Sequence, residues 1–327
     1  MRRTAFLAAI VLALAACGSA HATSTTAVKS AQSTSAQTPG VSTSTTAEVG
    51  DPAFPADIED DNRTIRIDER PEAIISLSST ATEMLFAIGA DTQVVAVDDQ
   101  SNYPADAPMT DLSGFTPNLE AILAYEPDLV VITFDPGDLV AGLETADVPV
   151  LTFGGAATID DVYRQMEALG RATGNADSAA AVIEGMQAEL AEILAMSTST
   201  GEGVTYYHEI DSTFYTATSS TFFGEIYSLF GMVNAADPAD EDGAAFGYPQ
   251  LSAEFVVSAD PNIVFLADVL YGESAETVAA RPGWDAMTAV QNGDIVELDS
   301  DVASRWGPRI VDFAQAVADA LRQFFGG

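Results

Sequence analysis

Two stretches of the chain, NLEAILAYEPDLVV at 118–131 and SAEFVVSADPNIVF at 252–265, spell nearly the same element twice. They align at Glu120 and Glu254, Ile122 and Val256, Leu123 and Val257, Glu126 and Asp260, and Pro127 and Pro261, and each then enters an apolar run. Proline ends a helix, and four apolar residues in a row suit a strand covered on both faces. Each copy therefore reads as a short helix leading into a buried parallel strand, and two copies imply two similar lobes. A chain of 327 residues with 47% hydrophobic content exceeds what one core usually fills, which agrees with that division.

Around the repeats, strand and helix patterns alternate. AIISL from Ala73, TATEMLFAIG ending at Gly89, VVAV, the first repeat, VPVLTF at 148–153 and IDDVYRQMEALGRATG predict an α/β lobe over 66–173 with a parallel sheet. Over 176–196, Ile183, Met186, Leu190, Ile193 and Leu194 recur at helical spacing, which predicts one long helix able to bridge two lobes. A second lobe over 203–327 opens with VTYYH, passes through the second repeat and closes with DIVELD and a final helix. That helix has Pro308 in its first turn and a stripe of Ile310, Phe313, Val317, Leu321 and Phe324. The expected fold class is α/β, with two Rossmann-like lobes joined by one long backbone helix.

The amino terminus carries a different signal. Arg2 and Arg3 precede an apolar stretch from Ala5 to Ala16, too short for a permanent membrane span and suited to a secretory signal. Leu14-Ala15-Ala16-Cys17 resembles the bacterial lipobox, so 1–17 is expected to be a lipoprotein signal peptide with Cys17 as the lipidated residue. Cys17 is the only cysteine, which rules out an intramolecular disulfide and a zinc-thiolate cluster. From Gly18 to about Gly50 the chain is Ser, Thr and Ala with few large apolar residues, a composition that stays disordered. A tether is therefore placed at 18–60, and the membrane is engaged through a lipid anchor.

Composition and missing motifs exclude several functions. Twelve Lys and Arg against 49 Asp and Glu give a net charge of −37, which repels nucleic acid. No GxSxG, GxxxxGK[ST], GxGxxG or HExxH motif occurs, and carboxylates are too numerous for a catalytic pair to stand out. No catalytic residue and no resident cofactor are assigned. Of two histidines, His21 falls in the tether, so a metal site built from several histidines is excluded.

AIISLSSTATEMLFAIGA, VVAVDDQSNYPADA, PNLEAILAYEPDLVV and SRWGPRIVD, in that order, resemble the substrate-binding proteins of ABC importers for cobalamin and ferric siderophores. This is the periplasmic-binding-protein class III, with a helical backbone between two lobes, and the match runs from about Arg66 to the carboxyl terminus. The resemblance implies a monomeric, extracytoplasmic, lipid-anchored binder that holds a cobalamin, a ferric siderophore or haem between its lobes and delivers it to a permease dimer. It also implies that a glutamate on the outer face of each lobe docks on the permease, and Glu120 and Glu254 match those positions. Glu83 is not nominated, because Thr80-Ala81-Thr82-Glu83 has capping-box spacing. Alternatives of another class are a secreted tethered enzyme and an adhesion module.

Open α/β sheets bind ligands at the carboxyl ends of their strands. Tyr103, Phe115, Tyr215 and Trp306 fall in such loops and offer aromatic faces to a large, partly apolar ligand, with a packed rim residue as the alternative for each. Arg305 and Arg309 stand out among few cations, and Arg309, near a helix amino terminus, needs an anion, either from a ligand or from a neighbour such as Asp299 or Asp312. His208 and Tyr207, at the end of a strand, are the candidates for a haem axial ligand, with a strand-end residue satisfied by the backbone as the alternative.

Overall fold

The computed structural model describes residue 51 and residues 53–197 and 201–326. Cys17, the expected signal peptide and the tether up to residue 50 lie outside the described residues. The described residues form one compact unit.

An antiparallel hairpin comes first, β1 (Ala56–Glu59) paired with β2 (Thr64–Ile67). Ile58 and Ile67 are buried in the core, so residues 56–60, expected to belong to the tether, are part of the folded body, and ordered chain begins before 66. Each strand is four residues long and contributes a single fully buried side chain among acidic and polar neighbours, too short an alternation to stand out as a strand.

The first lobe runs β3 (Ile74–Leu77), α1 (Ser79–Ala87), β4 (Val94–Val97), α2 (Leu119–Leu123), β5 (Leu129–Ile132), α3 (Leu139–Thr145), β6 (Val150–Thr152) and α4 (Ile159–Thr173). Its sheet is parallel in the order β4-β3-β5-β6. Along β5, Leu129 and Val131 join the cluster packed by α1 and α4, while Val130 and Ile132 join the one packed by α2 and α3. Both faces are covered, which is why the strand is apolar throughout.

Helix α5 (Ala176–Met196) connects the lobes. Ala179, Ile183, Met186 and Ile193 form its buried stripe, and it packs against α4 and the last helix. Its length of about 30 Å suits a strut along both lobes.

The second lobe runs β7 (Thr205–Glu209), α6 (Phe222–Leu229), β8 (Val233–Asn234), α7 (Ala253–Ala259), β9 (Ile263–Leu266), α8 (Ala275–Ala279), α9 (Thr288–Asn292), β10 (Ile295–Glu297) and α10 (Ile310–Gly326). Helix α10 starts at Ile310, so Pro308 lies in the turn before it and not in its first turn. The sheet order β10-β9-β7-β8, read from the other edge, repeats that of the first lobe: second, first, third and fourth strand. The third strands, β5 and β9, are those of the two sequence repeats.

The duplication extends further than those repeats. EMLFAIG at 83–89, which closes α1, matches EIYSLFG at 225–231, which closes α6. Gly89 and Gly231 hold left-handed φ of 79° and 77°, a conformation that ends a helix and strains any residue with a Cβ.

Candidate functional site

Loops and helices beyond the carboxyl ends of the strands carry polar contacts between the lobes. Arg305, between β10 and α10, donates Nη1 to Glu83 Oε1 at 2.8 Å, and Nη2 to Gln100 O at 3.1 Å and to Asn102 Oδ1 and Asp301 Oδ1, both at 2.8 Å. Arg309 donates Nε to Glu83 Oε2 at 2.9 Å and Nη2 to Glu83 Oε1 at 2.5 Å. In the opposite sense, the backbone N–H of Ile159 at the start of α4 donates to Glu225 Oε2 at 2.7 Å. Each lobe thus presents one helical glutamate to the other.

These contacts correct three expectations. Glu83 does not cap its own helix; Ser78 does, accepting from Ala81 N at 3.2 Å, and Glu83 is a buried counter-ion for two arginines. Arg305 is buried with both terminal nitrogens engaged inside the protein, so it fastens the lobes together and does not await a ligand. The principal anion for Arg309 is Glu83, whose hydrogen bonds hold the guanidinium above its ordinary value; Asp299 and Asp301 add charge from further away, and Asp312 is not the partner.

The aromatic candidates separate into groups. Trp306 lines a cavity of about 410 Å³ with Ile210, Phe223, Tyr248, Leu270 and Tyr271. Its indole also lies beside the first lobe, since a methyl added at Gly155 would sit 3.9 Å from Cη2. Tyr215 is exposed next to this cavity's wall, in an antiparallel bridge to Gln250, two residues beyond Tyr248. Phe115, in the first lobe, pairs with Phe134 at a ring distance of 5.6 Å, and both are exposed. Tyr103 is placed in a different hollow, beside Pro308 and under the Arg309 guanidinium at 4.3 Å.

Sequence reasoning missed Phe134, Tyr248, Leu270 and Tyr271. Leu270 and Tyr271 are 68% and 81% exposed, a large apolar surface to leave in water at the edge of a cavity. Phe134 could have been found, because it stands two residues beyond an unbroken apolar strand. Tyr248 is set by loop chemistry: Asp240 accepts from Ala245 N and Gly247 N, both at 2.7 Å, and a Cβ at Gly247 would approach Thr221 Cγ2 to 2.6 Å.

Beneath this surface the polar residues of β7 are buried. His208 is fully buried, its Nδ1 2.9 Å from the Tyr227 hydroxyl and its ring stacked on Phe223, and burial pushes its pKa down to about 4. Tyr207, on the opposite face of the strand, packs against Trp284 in the core. Neither is available to a ligand in the cavity. Glu209 receives Arg281 Nη1 at 2.7 Å and Nη2 at 2.5 Å, and Arg281 also reaches Glu273 at 2.7 Å. Asp268, just past β9, is buried with neither carboxylate oxygen hydrogen-bonded; burial first, then the charge of Glu209, raises its pKa to about 6.

Glu120 and Glu254 are both exposed in the first turns of α2 and α7. Asn118 caps one helix, accepting from Ala121 N at 3.1 Å, and Ser252 caps the other, accepting from Phe255 N at 3.2 Å. Each helix leads into the third strand of its sheet, so the two carboxylates occupy equivalent positions in the duplicated topology.

The sequence pattern of the family described as "Periplasmic binding protein" matches residues 74–302, from β3 to the loop that carries Arg305. The chain belongs to that family. The binding protein is 31% identical over 270 residues to a cobalamin-binding protein of Halobacterium salinarum, covering 80% of this chain and 72% of the relative. It is 28% identical to an ABC transporter substrate-binding lipoprotein of Bacillus subtilis, with 82% and 86% covered. Among solved structures it resembles the periplasmic vitamin B12 binding protein of Vibrio cholerae, with a TM-score of 0.65, 26% identity, and 78% of this chain and 98% of the other covered. Membership makes the chain a binding protein and not an enzyme.

Proposed function

We propose that this binding protein captures a metal chelate of the cobalamin type between its lobes and delivers it to the permease of an ABC importer. The observation that carries the reading is the cavity where Trp306 meets Tyr248, Leu270 and Tyr271, because exposed flat and aliphatic side chains recover the cost of their exposure only when a large apolar face covers them. The Halobacterium relative supports cobalamin over other chelates, and a ferric siderophore is the alternative. Haem is disfavoured, because the two residues weighed as axial ligands, His208 and Tyr207, are buried.

Delivery is assigned to Glu120 and Glu254, one per lobe, facing basic residues on a two-fold permease, with the protein acting as a monomer. Lipidation at Cys17 would hold it at the extracytoplasmic face of a membrane, with the Ser/Thr-rich chain as tether.

The test is intrinsic fluorescence during titration of the purified protein with cyanocobalamin, haemin and a ferric hydroxamate. Trp284 is buried in the core and serves as a constant background, while Trp306 reports on the cavity. The proposal expects saturable quenching by cyanocobalamin that Trp306→Phe largely removes. Absence of saturable binding by all three chelates would contradict it.

A further inference from the structure

The charges around the cleft bear on which chelates it admits, a question that rests on the binding role just proposed. The described residues hold nine arginines and no lysine. Away from the strand carboxyl ends, Arg63, Arg66, Arg164 and Arg322 each pair with a carboxylate. Arg70 and Arg171 are spent on the backbone carbonyls of Thr173 and Asp57.

The three arginines left do not line the cavity, and all are neutralised by the protein. Arg281 is held between Glu209 and Glu273. Arg305 and Arg309 share Glu83, and Arg305 also takes Asp301. The loops that follow the strands also carry Asp99 and Asp299 exposed and Asp211 half-buried, with Asp98 and Asp268 buried beneath the surface. Asp268 lacks any hydrogen-bond donor, and Asp98 has Ser101. An anionic ligand entering here would lose water without meeting an unpaired cation, and would face a chain of net charge −37.

We infer that the cleft selects neutral or cationic metal chelates and turns away polyanionic ones, by the absence among its described residues of any arginine not already matched by a carboxylate. The apolar cavity supplies affinity, and the surrounding carboxylates supply the discrimination.

Equilibrium titration of the full chain with cyanocobalamin, cationic ferrioxamine B and the polyanionic iron complex of a tris-catecholate tests this at low and at physiological salt. The polyanion should bind at least about ten-fold more weakly than the better of the other two, and the gap should narrow as salt screens the repulsion. Ser304→Lys, which adds a cation at an exposed residue lining the cavity, should strengthen polyanion binding several-fold, whereas Ser304→Gln should not. A polyanion that binds wild type as tightly as the neutral and cationic probes would overturn the inference while leaving the binding role intact. Failure of all three probes to bind would overturn the role and the inference together.

Discussion

Glu83 in the first lobe and Glu225 in the second stand at matching positions of a duplicated helix, and each reaches across to the other lobe. Glu83 takes the guanidinium groups of Arg305 and Arg309, while Glu225 takes only the backbone N–H of Ile159. The same geometry therefore carries unequal energies. Glu83→Gln leaves two guanidinium groups without their shared carboxylate and should cost on the order of 3 kcal/mol, whereas Glu225→Gln should cost about 1 kcal/mol. Urea unfolding of the two variants checks the ranking, and equal midpoints would remove Glu83 from its role as fastener.

Trp306 is predicted to be the strongest single contact in the cavity. Trp306→Ala should weaken cyanocobalamin binding by about 1 to 3 kcal/mol in a protein that still folds cooperatively. Unchanged affinity in a folded variant would place the indole outside the site.

Asp268 and His208 give the lobe opposed responses to acid. His208 is depressed from 6.5 to about 4, so as pH falls through that window the unfolded chain takes up a proton that the native state refuses, and stability drops by about 3 kcal/mol. Asp268 is raised from 3.8 to about 6, so its native form accepts a proton first and stability rises by about 3 kcal/mol over a nearly coincident window. Asp268→Asn should therefore be the more stable protein above pH 6, with the advantage vanishing near pH 4. Thermal melts across pH decide it, and a variant that tracks wild type throughout would show that Asp268 is not ionised at a cost.

Cys17 lies outside the described residues, and its role is a matter for fractionation. Cys17→Ser should move the protein from the membrane to the soluble fraction with ligand affinity unchanged. Retention of the variant in the membrane would remove the lipid anchor from the account.

The parts of the fold that were legible are those with strong periodicity. The repeats showed two lobes because a proline stop and a two-faced apolar strand leave few alternatives, and α5 showed in the spacing of Ile183, Met186 and Ile193. The hairpin of β1 and β2 was hidden because each strand is only four residues long and set among acidic residues, with one side chain fully buried. Glu83 was misread because its local spacing fits a cap, while its partner Arg305 lies 222 residues away in sequence and is brought near only by the packing of the lobes. Trp306 and Tyr215 could be placed in loops beyond strand ends because strand ends are predictable. Tyr271 and Tyr248 were not, since loop residues carry no period and their exposure is a property of the folded surface.

The most direct test of capture followed by delivery reverses the two glutamates of the sequence repeat and measures binding and uptake side by side. Glu120→Arg combined with Glu254→Arg puts like charges against the basic residues proposed on the permease, which costs more than deleting an exposed ion pair and also slows encounter. Each single reversal should lower uptake in part. The double variant should bind cyanocobalamin as wild type does and support no uptake; uptake that survives both reversals would contradict delivery through these residues and leave the repeat as a trace of the duplicated fold alone.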